Sequence, residues 1–415
     1  MQFGIFYEHQ LPKPWSEDDE FCLLRDALDQ VELADRLGFD YAWEVEHHFL
    51  DEYSHSSAPE VFLAAAAART TRIRLGHGIR QVIPKYNHPA RTAEGLATLD
   101  LISDGRVDFG IGEGATRLEL HGFDIPAKQK RAMSLEAAEQ IANMMVLEPY
   151  PGYSSDTFSM PCRNVLPKPR QKPHPPMWIA CTNRDTIKVA ARNGLGALAF
   201  SFVDPDEAKS WVDVYYDIIR SEECVPLGHT VNANLALVTG FSLHEDRAEA
   251  IRRGQEGFEF FGYALNALVA HDQVPGRTAL WDEFQARRSP DSIDRKFEAA
   301  AALGDGYASC IGAPADAARY LRQMRDVGVD QIIFIQQAGR NRHIDICASL
   351  ELFAAEVLPE FVADEAGRRQ RKAEELAPFV EAALARKIWM QPLADADIPI
   401  VRASVAKAQT SGSLT

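Results

Sequence analysis

Two neighbouring histidines, His47 and His48, lie between a carboxylate, Glu46, and an aromatic residue, Phe49. They directly follow a strand-like run at 39–43, which places them at the rim of a sheet or barrel. Because imidazole has an ordinary pKa near neutral, the group predicts proton chemistry. A structural role for either histidine stays open. A metal site is disfavoured, because neighbouring strand residues point to opposite faces and no His-Glu-x-x-His spacing occurs.

Glycines and small polar residues mark three further predicted strand ends. Two are the glycine-rich stretches 76–81, with Gly78 and Ile79, and 109–114, with Glu113. Glycine there either lets a flat ligand approach the backbone or serves barrel packing. The third end, Thr182-Asn183-Arg184, precedes a helix whose free N–H groups suit a phosphate, although ordinary N-capping is the alternative. Together these ends predict a flat, phosphate-bearing cofactor across a barrel mouth, with its ring next to His47.

The elements that would position these groups alternate short apolar runs with amphipathic helices. The predicted strands are Phe3–Phe6, Tyr41–Glu44, Ile73–Ile79, Val107–Ile111, Pro176–Ala180, Leu198–Phe202, Ala233–Phe241 and Gln331–Ile335. The predicted helices are Asp18–Leu37, Pro59–Arg69, Pro89–Ile102, Arg131–Leu147, Asp185–Asn193, Pro205–Arg220, Glu245–Ala270, Ala313–Val327 and Asp345–Phe361. Eight largely apolar strands indicate an α/β fold, a (β/α)8 TIM barrel with its chemistry at the carboxyl ends of the strands. A doubly wound open sheet is the alternative, disfavoured because no GxGxxG follows the first strand.

Three segments depart from this alternation. Residues 150–170 are rich in Pro, Gly and Ser and predict an excursion such as a hairpin, and residues 272–295 predict an irregular polar insertion. Residues 366–387 are charged and alanine-rich, which predicts one or two surface helices, and residues 391–415 predict a flexible tail. We therefore expect a barrel domain at 1–362 and a C-terminal extension, helical and then flexible, at 363–415 that carries no chemistry.

The composition narrows the class of protein. The chain has 415 residues, of which 46% are hydrophobic and 25% charged, as in a soluble globular protein. Its net charge of −16 argues against nucleic-acid and anionic-membrane partners. The sequence shows no signal-peptide pattern and no apolar run long enough to span a bilayer. The six cysteines form no Cys-x-x-Cys pair, so we expect neither a disulfide scaffold nor a zinc ribbon, and a cytoplasmic location.

An ordered set of motifs over residues 1–362 resembles the bacterial luciferase-like family of flavin-dependent monooxygenases. The matching stretches are Gly38-Phe39-Asp40, Glu46-His47-His48-Phe49, His88-Pro89-Ala90-Arg91, Asp104-Gly105-Arg106-Val107-Asp108-Phe109-Gly110-Ile111-Gly112, Pro176-Met177-Trp178, Ile311-Gly312-Ala313-Pro314 and Ser349-Leu350-Glu351-Leu352-Phe353. The resemblance implies a barrel that receives reduced FMN from a separate NAD(P)H:flavin reductase. It also implies O2 activation as a C4a-(hydro)peroxyflavin, oxygenation of a small organic substrate, and His47 as the catalytic residue, which exchanges a proton in a dry cavity.

One departure from the family concerns the flavin phosphate. Bacterial luciferase has Cys-Arg where this chain has Gly112-Glu113, and that arginine contacts the phosphate, which Glu113 would repel. Arg131 and Arg184 are the basic residues that could replace it, with Thr182 and Asn183 beside them. A cofactor F420 in place of FMN, as in the dehydrogenases of the same barrel family, is the enzymatic alternative. A non-catalytic flavin-binding barrel is the third hypothesis, disfavoured by Glu46-His47-His48.

The mouth loops indicate the class of substrate. His48, Phe49 and Tyr53 are the predicted pocket residues, and further aromatic residues lie in or beside the insertions at 150–170 and 272–295. An apolar or aromatic organic molecule is therefore expected, and aldehyde oxidation, Baeyer–Villiger insertion and aromatic hydroxylation all stay open. The resemblance also implies a homodimer.

Overall fold

A closed barrel of parallel strands forms the centre of the computed structural model, which describes residues 1–200, 202–288 and 309–402. The strands are β1 Gln2–Tyr7, β2 Tyr41–Glu44, β3 Arg74–Gln81, β4 Val107–Gly112, β5 Tyr150–Ser154, β6 Ser159–Arg163, β7 Met177–Cys181, β8 Gly196–Ala199, β9 Leu235–Thr239, β10 Phe241–Leu243, β11 Cys310–Gly312 and β12 Gln331–Ile335. Around the barrel the order is β1-β12-β9-β8-β7-β4-β3-β2, and every neighbouring pair is parallel. The predicted (β/α)8 barrel is confirmed.

Helices surround the barrel and close its amino-terminal end. They are α1 Asp19–Leu37, α2 Pro59–Arg69, α3 Pro89–Ile102, α4 Arg117–Gly122, α5 Lys130–Val146, α6 Arg184–Arg192, α7 Pro205–Ile219, α8 Arg247–Ala270, α9 Leu280–Arg287, α10 Pro314–Asp326, α11 His343–Glu356, α12 Leu358–Val362 and α13 Glu365–Arg386. In the described ranges no helix combines the length and the apolar character that crossing a membrane requires.

Several predicted boundaries were wrong for identifiable reasons. The sixth barrel strand ends at Ala199 rather than Phe202, and the side chains of Phe200 and Phe202 instead line the cavity at the barrel mouth. The predicted seventh strand is two strands, and its second part, β10, pairs with β11 outside the barrel. The predicted closing helix divides at Val357, before Pro359, into α11 and α12.

The segments between barrel elements were predicted in part. Residues 150–170 do contain a hairpin, formed by the antiparallel strands β5 and β6. The insertion at 272–295 contains α9, whose Trp281 packs edge-on against Phe260 of α8, with ring centroids 5.0 Å apart. The rest of that insertion, from residue 289, and the tail from residue 403 lie outside the described residues.

Aromatic side chains fill the barrel interior. Trp43 of β2 is 1% exposed, stacks on Tyr41 at 5.5 Å between centroids, and meets the edge of Trp178 at 5.4 Å. A Cβ atom at Gly76 would lie 2.1 Å from the Trp43 ring, so a side chain there has no room. Of the two interpretations of the glycine-rich strand ends, packing therefore accounts for Gly76.

The C-terminal extension crosses the amino-terminal end of the barrel. Leu376 and Ala383 of α13 are buried, so the helix is more than the surface helix that was predicted. Lys372 donates hydrogen bonds to Asp330 at 2.7 Å, to Asn234 at 2.7 Å and to the carbonyl of Ala233 at 3.0 Å. The predicted division at residues 362 and 363 stays a prediction.

Candidate active site

A cavity of about 720 Å³ opens at the carboxyl ends of the barrel strands, where the fold predicts chemistry. Strands β1 to β4 and β7, the segment after β8, the starts of α5 and α6, and one face of α8 form its walls. The lining residues are Glu8, Val45, His47, Tyr53, Gly78, Ile79, Gln81, Ile111, Gly112, Glu113, Gly114, Ala115, Lys130, Arg131, Ser134, Ile179, Ala180, Thr182, Thr186, Val189, Phe200, Phe202, Gly262, Leu265, Asn266 and Val269. The lining is mostly apolar, with charged groups concentrated at two sides, one beside β1 and β2 and the other after β4.

His47 lies at one of these sides, just beyond β2. Its backbone N–H donates to the carbonyl of Ser56 at 2.8 Å, which fixes the loop. The ring Nδ1 lies 2.8 Å from Glu119, and Nε2 lies 3.6 Å from Glu8. The Tyr53 ring packs edge-on against the imidazole, with centroids 5.7 Å apart. The histidine is thus held between two carboxylates.

Glu119 is fixed by the start of the short helix α4. Thr116 caps this helix, and the Glu119 carboxylate accepts a hydrogen bond from the Thr116 hydroxyl at 2.8 Å in a capping box. The same carboxylate meets His47 and accepts from the backbone N–H of His48 at 3.2 Å. Burial opposes ionisation, but His47 and these donors outweigh it and lower the pKa of Glu119. Glu119 therefore faces His47 as a carboxylate.

Glu8 ends the first strand run and faces His47 from the other side. It is 2% exposed, and its Oε1 accepts a hydrogen bond from the Tyr53 hydroxyl at 3.0 Å. Its Oε2 has no hydrogen-bond partner among the described residues. Burial raises the pKa of the Glu8 carboxyl from 4.5 to about 7, against the opposing effects of His47 and Tyr53. Glu8 therefore changes its charge near neutral pH.

The charges around His47 favour its imidazolium form. Burial alone would lower the pKa of His47, but Glu119 and then Glu8 outweigh burial and raise it from 6.5 to about 9. At neutral pH the ring carries protons on both nitrogens. Because Nδ1 meets Glu119, the Nε2–H is the proton next to the cavity.

Two cations and one carboxylate lie at the second side, formed by the segment after β4 and the start of α5. Arg131 donates two hydrogen bonds to Glu113, both 3.0 Å long. Lys130 lies 3.6 Å from the same carboxylate and donates to the carbonyl of Gly114 at 2.5 Å. Glu113 is therefore matched by cations, and the three side chains together carry a net positive charge.

Of the three residues predicted after β7 to bind a phosphate, one lies at the cavity and two lie outside it. Thr182 lines the cavity, whereas Asn183 and Arg184 lie outside its lining. Asn183 caps α6 by accepting from the backbone N–H of Thr186 at 3.1 Å, which is the N-capping alternative. Arg184 points towards α7 and pairs with Glu207 at 2.9 Å, because that carboxylate lies beside it. Arg184 is thus placed away from the cavity.

Of the three predicted pocket residues, only Tyr53 lines the cavity. His48 turns behind the wall, where Nε2 meets Glu46 at 3.1 Å and the ring stacks on Tyr86 at 5.9 Å. Phe49 is 53% exposed and stacks on Phe123 at 5.3 Å. His48, the next residue along the chain, points away from His47, and the positive φ of 66° at Phe49 turns that side chain towards His48, with ring centroids 5.9 Å apart.

The glycine-rich end of β3 also lines the cavity. The register between β3 and β4 shifts between His77 and Arg80, which is the sign of a bulge. Gly78 and Ile79 lie within this shift and form part of the cavity wall. After the bulge, Gln81 is the next residue of this strand that lines the cavity. Its Oε1 is buried and has no hydrogen-bond partner in the described part of the chain. A bulge that leaves an amide oxygen unpaired beside a cavity suits a ligand with an N–H group.

Sequence reasoning did not single out Glu8, Glu119, Lys130 or Gln81. A signal existed for Glu8, because a carboxylate directly after the first barrel strand lies at the active end of this fold. The Thr-x-x-Glu spacing of Thr116 and Glu119 predicts a capping box, but not that its carboxylate reaches a histidine 72 residues away in the chain. Within the described residues, no group of three or more His, Cys, Asp or Glu is arranged to hold a metal ion.

Comparison with known sequences gives a family and several relatives. A family model described as luciferase-like monooxygenase matches residues 1–331. The protein y4wF of Sinorhizobium fredii is 31% identical over 290 residues, 66% of this chain and 78% of that protein. The 4-hydroxyprotoasukamycin monooxygenase of Streptomyces nodosus subsp. asukaensis is 25% identical over 87% of this chain and 92% of that protein. The oxygenase component of the flavin-dependent trigonelline monooxygenase of Acinetobacter baylyi is 27% identical over 47% of this chain and 52% of that protein.

Solved structures share the fold. Monooxygenase RslO1 from Streptomyces bottropensis superposes with a TM-score of 0.69 at 26% identity, over 87% of this chain and 100% of that one. The oxygenating constituent of 3,6-diketocamphane monooxygenase from Pseudomonas putida, in complex with FMN, gives 0.65 at 18% identity, over 86% and 98%. An F420-dependent secondary alcohol dehydrogenase with an F420–acetone adduct gives 0.62 at 17% identity, over 86% and 98%. At these last two identities the likeness is one of fold alone.

Proposed function

Because the chain belongs to the luciferase-like monooxygenase family, which its residues 1–331 match, we propose that it is the oxygenase of a two-component system. It would use reduced FMN from a separate reductase and O2 to oxygenate an apolar or aromatic organic substrate. The observation that carries the proposal is the cavity at the barrel mouth, whose lining includes an imidazole held between two carboxylates and, separately, the cations Lys130 and Arg131.

The cavity suits a flavin mononucleotide in size and chemistry. Its volume of about 720 Å³ falls within the usual range for cofactor sites. Lys130 and Arg131 would hold the phosphate, with Thr182 beside them at the end of the neighbouring strand β7. Gly78 and Ile79 offer a wall for a flat ring, and the free Oε1 of Gln81 can accept a hydrogen bond from a ring N–H.

Bound reduced FMN would supply the electrons and the site at which O2 reacts, so the protein has to supply position, dryness and a proton. His47 holds that proton at Nε2, on the cavity side of the ring, while Glu119 fixes Nδ1 at 2.8 Å. An imidazolium at this point stabilises negative charge on a reacting oxygen and can donate a proton to it.

The apolar part of the lining limits the access of water and sets the substrate class. Ile179, Phe200 and Phe202 form one wall, and Leu265 of α8 forms another, with the exposed Val269 at the rim. A dry site strengthens the interaction between the imidazolium and a developing anion, and it protects a reactive intermediate from hydrolysis. The same walls favour an apolar or aromatic substrate over a small polar one.

The cofactor is the first point to test. The net charge of the Lys130, Arg131 and Glu113 group suits one phosphate, and a relative is named as a flavin-dependent oxygenase component. The alternative is F420, which a structure of the same fold contains. Anaerobic titration of the purified full chain with reduced FMN and with reduced F420 gives both affinities directly. Tighter binding of FMN is expected, and tighter binding of F420 would overturn the proposal.

Oxygenation is the second point to test. The FMN-loaded protein is mixed with O2 and a panel of aromatic compounds, cyclic ketones and long aldehydes, with FMN reduced by an unrelated reductase. Product that contains one atom from isotopically labelled O2 is expected for one of these classes. Flavin oxidation without any labelled product across the panel would favour the non-catalytic flavin-binding barrel. The homodimer and the cytoplasmic location stay predictions, and light scattering tests the former.

A further inference from the structure

Glu8 contacts the catalytic histidine, and the proposed function gives it no role. One carboxylate oxygen is committed to the Tyr53 hydroxyl at 3.0 Å. The other, Oε2, lies 3.6 Å from Nε2 of His47 and has no hydrogen-bond partner among residues that the structure describes. A free carboxylate oxygen that is almost completely buried is costly, so its presence beside a cavity calls for an explanation.

The neighbouring carboxylates have other partners. Both oxygens of Glu119 are used, by His47 and by Thr116. Glu46, which also acts on His47, is held by the backbone N–H of Gln81 at 2.9 Å and by Asn87 at 2.7 Å. Of the three carboxylates that act on His47, Glu8 is the one with a free oxygen.

The remaining charged groups near Glu8 form a separate pair. Glu44 lies 2.8 Å from Nε2 of His9, and it also accepts a hydrogen bond from the Ser56 hydroxyl. Glu44 raises the pKa of Glu8 slightly, and Glu8 in turn raises that of His9. From the side of α8, Phe261 packs on Tyr53 and adds no charge. The group with which Glu8 can exchange a proton is therefore His47.

We propose that Glu8 is a positioning residue for His47, whose free oxygen holds the Nε2 proton on the cavity side of the imidazolium until a reacting oxygen atom takes its place. The separation of 3.6 Å is just beyond hydrogen-bond range, so a small rotation of either side chain closes it. Glu8 then keeps His47 charged between turnovers without engaging its proton permanently. The reacting oxygen rests on the proposed function, but the pairing of Glu8 with His47 does not.

The pairing is tested on the full chain without cofactor, by nitrogen NMR of labelled histidine across a pH titration. The His47 signal is assigned by its absence in His47→Gln. In Glu8→Gln, which keeps the size and the acceptor of Tyr53 but loses the charge, we expect the proton affinity of His47 to fall about tenfold or more. An unchanged titration of His47 in Glu8→Gln would overturn the proposal.

The pH dependence of oxygenation gives the second readout. The pKa of His47 is raised to about 9, so the imidazolium is present at neutral pH and is lost as pH rises through 9. Without the Glu8 charge this loss begins at lower pH, so Glu8→Gln should be impaired at pH 8 and recover towards pH 6. Glu8→Asp should restore part of the wild-type profile. A loss of equal size at every pH would show a merely structural role and reject the proposal.

A matched control variant completes the test, and the results distinguish a failure of the proposed function from a failure of the Glu8–His47 pairing. Glu20→Gln removes the carboxylate that meets His55 at 2.8 Å, an imidazole–carboxylate pair away from the cavity lining, and should leave the pH profile unchanged. If wild type failed to bind FMN while Glu8→Gln still lowered the His47 titration, the proposed function would fail and the pairing would stand. If wild type oxygenated substrate and Glu8→Gln showed the same pH profile as wild type, the proposed role of Glu8 would fail and the proposed function would stand.

Discussion

The two ends of the barrel use charge in opposite ways. At the amino-terminal end, Lys372 donates to four protein groups, and Lys387 donates to Glu139 at 2.8 Å and to two backbone carbonyls. At the carboxyl end, Lys130 and Arg131 share one carboxylate beside an open cavity, and Glu8 keeps a free oxygen. The cations of both ends have acceptors in the protein, but those of the carboxyl end line an open cavity, and only there, among the described residues, does a neighbouring carboxylate, Glu8, leave an oxygen free beside that cavity.

This difference between the two ends indicates that polar groups at the amino-terminal end serve stability and those at the carboxyl end serve function. A polar group that has all its partners within the protein contributes to the free energy of unfolding, but it has nothing left to offer a ligand. Groups without such partners reduce stability and mark the site that uses them. The separation has exceptions, because the amide of Gln331 and one carboxylate oxygen of Glu365, both at the amino-terminal end, also lack hydrogen-bond partners in the described ranges. Variants at each end test how far the separation holds.

The largest expected effect is at the carboxyl end, in His47→Gln. Loss of a positioned proton donor should lower the rate of oxygenation by about 10²- to 10⁴-fold. Flavin affinity should change little, because Lys130 and Arg131 are intact, whereas the urea midpoint of unfolding should fall, because the buried carboxylates Glu8 and Glu119 lose their cation. The measurement is a single-turnover rate with labelled O2. His55→Gln is the control, since His55 lies outside the cavity lining, and a His47→Gln rate within twofold of wild type would contradict the assignment.

Removal of both cations beside the cavity should have the next largest effect. A charge-assisted hydrogen bond contributes about 1.5–3 kcal/mol, so Lys130→Met with Arg131→Met should weaken FMN binding about 10- to 100-fold. Riboflavin, which has no phosphate, should bind the variant and wild type equally. Equal loss of riboflavin and FMN affinity would show that the cations shape the cavity rather than bind a phosphate. The measurement is anaerobic titration by flavin absorbance.

At the amino-terminal end, Lys372→Met should affect stability alone. It removes the nearer of two cations from Asp330, whose side chain is 3% exposed. Arg368 stays 3.7 Å from that carboxylate, and Tyr216 and the backbone N–H of Leu235 still donate to it. We expect the free energy of unfolding to fall by about 1–3 kcal/mol, measured by urea denaturation. Lys188→Met, which removes an exposed i,i+3 pair, is the control with little effect. Turnover per folded molecule should be unchanged, and a lowered turnover would show that the two ends are coupled.

The sequence predicted the fold well because its periodicity is a local property. Alternating apolar runs and amphipathic helices predicted most strands and helices of the barrel, and the missing GxGxxG favoured the barrel over the open sheet. The errors occurred where a tertiary contact decides the structure. The sixth strand ends early because Phe200 and Phe202 line the cavity, and α9 forms because Trp281 packs on α8.

The candidate site was predicted less completely, since its contacts join residues far apart in the chain. His47, Glu113 and Thr182 were predicted as site residues because each follows a predicted strand, and all three line the cavity. The direction of a side chain is set by its neighbours in the fold. The sequence therefore did not predict that Arg184 pairs with Glu207, or that His48 pairs with Glu46 and lies outside the cavity. Glu119 is linked to His47 only through the fold, which places α4 beside the loop after β2.

The smallest expected effect is at Glu113 and has the opposite sign. Its carboxylate holds Arg131 and would repel a phosphate, so Glu113→Gln should free the cations and strengthen FMN binding about two- to fivefold at low salt. The gain should shrink as salt screens the charges and should be absent for riboflavin. A weaker affinity for FMN would mean that Glu113 serves to orient the Arg131 guanidinium. In that case the carboxyl end would resemble the amino-terminal end, where each cation is fixed by an acceptor of the protein itself, and the contrast between them would fail at this residue.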